Sequence, residues 1–86
     1  MPRFYFDIRE GTRFFEDKEG LEFPDLDAAE CEAALTAATI GRDLLPSGTV
    51  RAVTVEVWNE HCQRVLTVMV SMEVQRAYPP PPTSSG

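Results

Sequence analysis

Three segments of the chain alternate between apolar and polar side chains, and this alternation limits the fold to a small sheet with one apolar face. The segments are residues 3–9, 53–58 and 64–70. β-branched, aliphatic and aromatic residues at every second position are typical of half-buried strands. The side predicted to face the core consists of Phe4, Phe6, Ile8, Val53, Val55, Val57, Leu66, Val68 and Val70.

A helical period occurs once, between the first strand and the other two. Apolar residues recur at three- and four-residue spacing from Leu26 to Leu44, and Pro46-Ser47-Gly48 ends the pattern. Asp25 or Asp27 can cap the helix, because either carboxylate can accept from the free backbone N–H groups of the first turn. The expected core stripe consists of Leu26, Ala29, Ala33, Ala37, Ile40 and Leu44.

The order of these elements predicts the fold class. Residues 12–16 are expected to return from a turn at Glu10-Gly11 as a second strand, followed by an acidic loop over residues 17–25. The prediction is an α+β fold, a two-layer ββαββ sandwich with one helix packed on a small four-stranded antiparallel sheet. A single domain is expected over residues 1–76, with residues 77–86 as a disordered tail rich in Pro and Ser.

Composition narrows the classes of function. The formal net charge of −6 weighs against binding to phosphate backbones, which depends on clustered Lys and Arg. The sequence shows no signal peptide and no run of the ~20 apolar residues that a membrane helix needs. Its two cysteines, Cys31 and Cys62, are too few and too far apart for a disulfide framework or a zinc site. A cytoplasmic protein without membrane contact is the expectation.

Three stretches of the sequence together resemble a known family. They are the opening PRFYFDI at residues 2–8, DKEGLEFPDLDAAECEA at 17–33 and VEVWNEHCQRVLTV at 55–68. They are similar to a set of short bacterial proteins, mostly alpha-proteobacterial, that are grouped as a domain of unknown function. The resemblance covers residues 2–70 and implies a fold, with no activity, substrate or catalytic residue attached.

One position departs from that family pattern. Cys62 stands in the last hairpin where the family usually has glycine. If this position is left-handed, a residue other than glycine there costs roughly 1 kcal/mol. A more distant similarity of layout is to HicB-type antitoxins, which also place one helix on a small sheet, and this is an analogy of fold alone.

Two sequence patterns are candidates for a catalytic or metal site. His61 and Cys62 are neighbours, but side chains of adjacent residues in a turn point in different directions and no second histidine supports them. The segment from Asp17 to Gly20 is similar to the start of a calcium loop, yet Ala28 occupies the position where that loop needs its glutamate. No nucleophile, base and orienting group come together in the pattern. We therefore expect no enzyme activity, no cofactor, no metal and no small-molecule ligand.

Two apolar surfaces are candidates for contact with another protein. The sheet face turned away from the helix carries Tyr, Trp, Met and Arg, the residue types enriched at interfaces. The helix has a second apolar stripe next to its core stripe. The candidate face consists of Tyr5, Arg9, Thr54, Trp58, Val65 and Met69, and the candidate stripe of Cys31, Leu35 and Ala38, flanked by Ala34 and Leu45.

The leading interpretation is a small non-enzymatic protein-interaction or regulatory module that forms a homodimer or binds a protein partner. Of the two surfaces, the open sheet face is favoured for self-association, because large aromatic residues contribute most at interfaces. The alternative is an antitoxin-like or nucleic-acid-associated regulator, since aromatic side chains on an open sheet face can stack on bases. The acidic balance and the sparse arginines make nucleic acid the less favoured partner.

Overall fold

A computed structural model describes residues 1–78, which form one helix and a five-stranded antiparallel sheet. The strands are β1 (Arg3–Glu10), β2 (Arg13–Phe15), β3 (Leu21–Glu22), β4 (Ala52–Trp58) and β5 (Arg64–Ser71), and the helix α1 spans Leu26–Leu44. The predicted α+β class, with a helix on an antiparallel sheet, is therefore confirmed. Most of the predicted tail, from residue 79 onward, lies outside the described residues.

The strand order is β2-β1-β4-β5, and β3 also pairs with β1. β4 occupies one edge of β1, while β2 pairs with Ile8–Glu10 and β3 with Arg3–Phe4 along the other edge. The sheet thus has one strand more than the four predicted. β3 was missed because two residues are too few to show an alternating pattern, and both lie inside the segment expected to be an acidic loop.

The core forms where α1 packs against β4 and β5. The buried helix residues are small and recur at every fourth position, so the helix approaches the sheet closely. A methyl group added at Gly41 would lie 3.2 Å from Val70 Cγ1 and 3.1 Å from Leu45 Cδ1. The fully buried residues of this layer are Ala29, Ala33, Ala37, Val53, Val55 and Val57.

The helix stripe differs from its prediction at both ends. Leu26 is 41% exposed, because it lies in the first turn ahead of the close contact. Ile40 and Leu44 are half-buried, and Leu45, which the sequence placed on the second stripe, is buried against Gly41. Because Gly41 has no side chain, the side chain of Leu45 packs into the space that a Cβ at position 41 would need.

Asp25 is the residue that caps α1. Its Oδ1 accepts from the Ala28 N–H over 2.8 Å, while Asp27 lies within the first turn. The carboxylate satisfies one of the N–H groups that the first turn leaves without a partner, and its charge suits the positive end of the helix dipole. The sequence had left the choice between these two aspartates open.

A β-bulge interrupts the pairing of β4 with β5. Val57 faces Leu66 and Trp58 faces Arg64, so Val65 is an extra residue on β5. A bulge shifts the alternation of side chains along its strand. Val65 consequently packs against the core cluster, and its predicted place on the open sheet face is wrong.

The hairpin between β4 and β5 contains a left-handed cysteine. Cys62 has a φ of 59°, a conformation that glycine adopts without steric cost. We expect Cys62→Gly to raise the free energy of unfolding by up to about 1 kcal/mol, measured by urea denaturation. Cys62→Ala, which removes the thiol and keeps Cβ, should leave stability unchanged. A loss of stability in the glycine variant alone would contradict the strain argument.

Candidate interaction face

The sheet face opposite α1 brings together most of the residues that the sequence singled out. We call it the open face, and its residues are Tyr5, Asp7, Arg9, Thr54, Glu56, Trp58, Thr67 and Met69. Tyr5 lies directly opposite Trp58, and Thr54 lies between Arg9 and Met69. Five of the six predicted face residues therefore share the open face, with Tyr5 and Trp58 at one end and Arg9, Thr54 and Met69 at the other, and Val65 is the exception.

A pocket of about 430 Å³ lies at the Tyr5–Trp58 end of the open face. One wall is the loop that follows β2, and the other is the turn between β4 and β5. The floor is aromatic, while the rim is polar and largely acidic. The lining residues are Tyr5, Glu16, Asp17, Lys18, Trp58, Asn59, Glu60 and Cys62. We call this the Trp58 pocket.

Asp17 fixes the loop wall of the Trp58 pocket. Its side chain lies in the gap between β2 and β3 and accepts from the N–H groups of Phe6 at 3.0 Å, Glu19 at 3.1 Å and Gly20 at 2.9 Å. Its own N–H donates to Asp7 Oδ1 over 3.0 Å. A side chain thus supplies the hydrogen bond to β1 that a continuous strand would have supplied.

These hydrogen bonds also set the protonation of Asp17. Partial burial raises the pKa of this carboxyl, but the hydrogen bonds from Gly20, Phe6 and Glu19 together outweigh it. The pKa of Asp17 therefore lies below its ordinary value of 3.8. The loop is held by a charged group over the whole neutral range of pH.

Asn59 organises the opposite wall. Its Oδ1 accepts from the N–H groups of His61 at 2.8 Å and Gln63 at 3.0 Å, and its Nδ2 donates to Gln63 Oε1 over 2.9 Å. These bonds close the turn, in which Cys62 has its left-handed conformation. His61 contributes its backbone N–H to the turn, and both His61 and Cys62 are exposed.

The indole N–H of Trp58 is buried without a hydrogen-bond partner. Within residues 1–78, Trp58 Nε1 is the one buried side-chain nitrogen or oxygen in this condition. Buried polar groups are nearly always paired, and an unpaired donor costs about 1–3 kcal/mol. The rest of the Trp58 side chain is partly exposed on the open face. Trp58 thus lines the pocket, and its indole N–H is a buried donor that residues 1–78 leave without a partner.

The arginines of the open face are engaged with one glutamate. Glu56 Oε2 lies 3.0 Å from Arg64 Nη1, and Glu56 Oε1 lies 4.0 Å from Arg9 Nη2. The Arg9 guanidinium also lies 4.8 Å from the centre of the Phe14 ring. Glu56 and its cross-strand neighbour Asp7 together balance the formal charges of these two arginines.

The sequence analysis assigned no binding role to Phe14, which lies beside Arg9 on the open face. It assigned none either to the residues that the loop and the turn bring to the pocket, Glu16, Asp17, Lys18, Asn59 and Glu60. The position of Phe14 follows from the hairpin register, which sets it opposite Arg9, so the sequence carried a signal for it. The role of Asp17 depends on the unforeseen strand β3, and the sequence carried no comparable signal for it.

The second predicted surface is separate from the first. Cys31, Leu35 and Ala38 are all exposed on α1, and Leu35 is 62% exposed. They lie on the helix side of the sheet, so the structure does not bring them near the Trp58 pocket. Leu35 thus serves as an exposed apolar reference residue for experiments on the open face.

A family model matches residues 3–71, which is nearly the whole described domain, and its description is domain of unknown function, DUF6894. The chain belongs to the DUF6894 family. Searches of curated proteins and of solved structures find no significant match. Membership in DUF6894 therefore supplies a family for the fold and no activity for the site.

Two further properties of the described part of this DUF6894 chain bear on its function. No helix within residues 1–78 combines the length and the apolar character that a membrane crossing needs. In the same residues, no three side chains of His, Cys, Asp or Glu are grouped closely enough to hold a metal ion. The six acidic residues between Glu16 and Asp27 thus do not gather around one point.

Proposed function

We propose that this DUF6894 domain is a non-enzymatic protein-interaction or regulatory module that binds a partner protein through the open face, with Trp58 as the central anchor. Tyr5, Trp58, Met69 and Arg9 on one sheet face are the residue types enriched at protein interfaces. Met69 is 67% exposed, a high value for a methionine in the middle of a strand. The sheet provides a rigid base, so binding costs little in ordering of the backbone.

The unsatisfied indole N–H of Trp58 is the observation that carries this proposal. Among residues 1–78 this donor has no partner, and an unmade hydrogen bond of this kind weakens a folded state. A partner that turns the indole toward an acceptor of its own removes that cost while it buries the aromatic ring. Tryptophan residues in such positions are frequent hot spots of binding energy.

The rim of the Trp58 pocket suggests the chemistry of the partner. Glu16, Asp17 and Glu60 line the rim, and Lys18 is the one basic residue among the lining side chains. A segment with an apolar or acceptor group at its centre and Lys or Arg beside it matches this distribution of charge. A phosphate backbone does not match it, and the arginines Arg9 and Arg64, which share Glu56, form no cluster of free positive charge for one.

The test compares four versions of the full chain as baits for proteins from an extract of the native host. Wild type, Trp58→Phe, Trp58→Ser and Leu35→Ser are immobilised at equal density, and the dissociation constant of the best-retained protein is then measured. We expect Trp58→Ser to weaken that complex at least about tenfold, because it removes the ring as well as the donor. Trp58→Phe should give an intermediate loss, since it removes the N–H and keeps an aromatic ring.

Leu35→Ser is the matched control, since it also replaces a partly exposed apolar residue by serine but lies on the helix. It should bind like wild type, and circular dichroism should show all four chains folded. A complex that tolerates Trp58→Ser, or that Leu35→Ser weakens equally, would contradict the open face as the binding site.

A further inference from the structure

Within residues 1–78, the outer edge of β5 is the longest strand edge without a pairing partner. β5 runs over eight residues, and within residues 1–78 no strand pairs with its outer side. Natural edge strands are commonly protected from pairing by lysines, prolines, bulges or inward-pointing charges. The sequence from Val65 to Met72 contains no charge and no proline, and the bulge lies at the start of the strand. Most of this edge is unprotected.

The hydrogen bond of Phe6 shows which backbone groups of β5 point outward. The Phe6 N–H donates to Asp17 and so points away from β4. Its opposite residue Val57 therefore directs its backbone groups toward β5, where it faces Leu66. Because backbone direction alternates along a strand, the outward N–H and C=O groups of β5 belong to Thr67, Met69 and Ser71.

The charges at the ends of the strand are complementary under a twofold rotation. Arg64, which also forms an ion pair with Glu56 of its own copy, begins β5, and Glu73 lies two residues beyond the last residue Ser71, with no charge between Arg64 and Glu73. Antiparallel pairing with an identical strand brings Arg64 of one copy to the end that carries Glu73 of the other. Parallel pairing would set like charges side by side. The charges at the two ends of β5 therefore favour antiparallel pairing of two copies and disfavour parallel pairing.

We propose that two copies of this chain pair through the outer edges of β5 and form one continuous antiparallel sheet. In the register that uses all three outward residues, Met69 faces Met69 of the other copy and Thr67 faces Ser71. Residues that face each other then lie on the same side of the sheet, so both helices lie on one side. This surface differs from the two that the sequence suggested, and it leaves the Trp58 pocket free.

Apolar side chains beside the edge support the same pairing. A groove of about 290 Å³ lies between the end of α1 and β5, lined by Ala38, Leu45, Val70 and Met72 among others. Met72 is 49% exposed and Val74 is 74% exposed on the segment that continues β5. In the proposed register this segment runs past Arg64 of the other copy, where pairing covers part of both side chains.

Sedimentation of the full chain tests the proposal directly. Wild type should be a dimer at concentrations of tens of micromolar. Met69→Pro removes an outward N–H and no bond to β4, a position where edge strands tolerate proline, so it should raise the dimer dissociation constant at least about 100-fold. Met69→Thr, which removes the same side chain and keeps the N–H, should stay dimeric. Monomeric wild type at 100 micromolar or dimeric, folded Met69→Pro would overturn the proposal.

Backbone hydrogen exchange in wild type tests the proposal without any substitution. The amides of Thr67, Met69 and Ser71 should exchange at least about tenfold more slowly in concentrated than in dilute protein, because only the dimer covers them. Equal rates at both concentrations would overturn the proposal. The Trp58→Ser variant distinguishes this dimer from partner binding on the open face. It should remain dimeric, because Trp58 does not lie on the outer edge of β5. A monomeric Trp58→Ser variant would mean that self-association uses the open face instead.

Discussion

Replacing Gly20 with alanine is expected to lower the free energy of unfolding by about 2–4 kcal/mol. Gly20 has a φ of +71°, so a side chain there is strained by its own backbone. The added Cβ would also lie 2.9 Å from the carbonyl oxygen of Phe4 and 2.9 Å from Tyr5 Cε2. The first of these atoms belongs to the backbone of β1 and cannot rotate away. Urea denaturation of both chains gives the difference.

Gly48→Ala is the matched control for this prediction. Gly48 has a φ of +76°, yet no atom outside Gly48 and its two chain neighbours lies within 4 Å of the position that a Cβ would take. Gly48→Ala should lower the free energy of unfolding only by the backbone strain, about 1 kcal/mol. The difference between the two variants then measures the close contact of the loop with β1. If both variants lose the same stability, the atoms around Gly20 move aside at little cost in free energy, and the loop wall of the Trp58 pocket is easily deformed.

Replacing Asp17 with alanine is expected to cost about 2–3 kcal/mol at neutral pH, because the charge-assisted hydrogen bonds to Phe6, Glu19 and Gly20 are lost together. Since the pKa of Asp17 is lowered in the folded chain, its ionised form stabilises the fold above the ordinary value near 3.8. This contribution is lost as the pH falls through the lowered pKa. The stability gap between wild type and Asp17→Ala should thus be constant from pH 5 to 8 and narrow below about pH 4.

Glu19→Ala controls for the removal of one negative charge from the same loop. Glu19 is exposed, and its replacement should change stability by less than about 0.5 kcal/mol. The stability of Asp17→Asn should fall between those of Asp17→Ala and Glu19→Ala, since an amide oxygen still accepts hydrogen bonds but carries no charge. An Asp17→Ala chain as stable as Glu19→Ala would mean that the hydrogen bonds seen at Asp17 contribute nothing net.

The fold could be predicted where the pattern was long enough to repeat. The alternation of Val53, Val55 and Val57 identified a central strand, and the row of alanines identified the buried side of the helix. Val65 was assigned to the wrong side because an extra residue in a strand leaves no mark in an alternating sequence. β3 was missed because its pairing comes from the Asp17 loop, which sets Leu21 opposite Phe4.

About half of the candidate site could be predicted from the sequence. Tyr5, Arg9, Thr54, Trp58 and Met69 share the open face because period two places them there, and no tertiary detail was needed. The pocket beside Trp58 depends on two connections, the loop at Asp17 and the turn at Asn59. Connections follow their own hydrogen bonds and not a repeating period, so their side chains could not be placed from the sequence.

Trp58 is the sole tryptophan in the sequence, and this gives the pocket its own spectroscopic probe. Tryptophan emission from this protein comes from one indole, whose N–H has no partner within residues 1–78. Both tyrosines absorb at shorter wavelength, and excitation near 295 nm avoids them. A fluorescence titration can therefore follow occupation of the pocket in unlabelled wild-type protein, with the signal and the binding site in the same side chain.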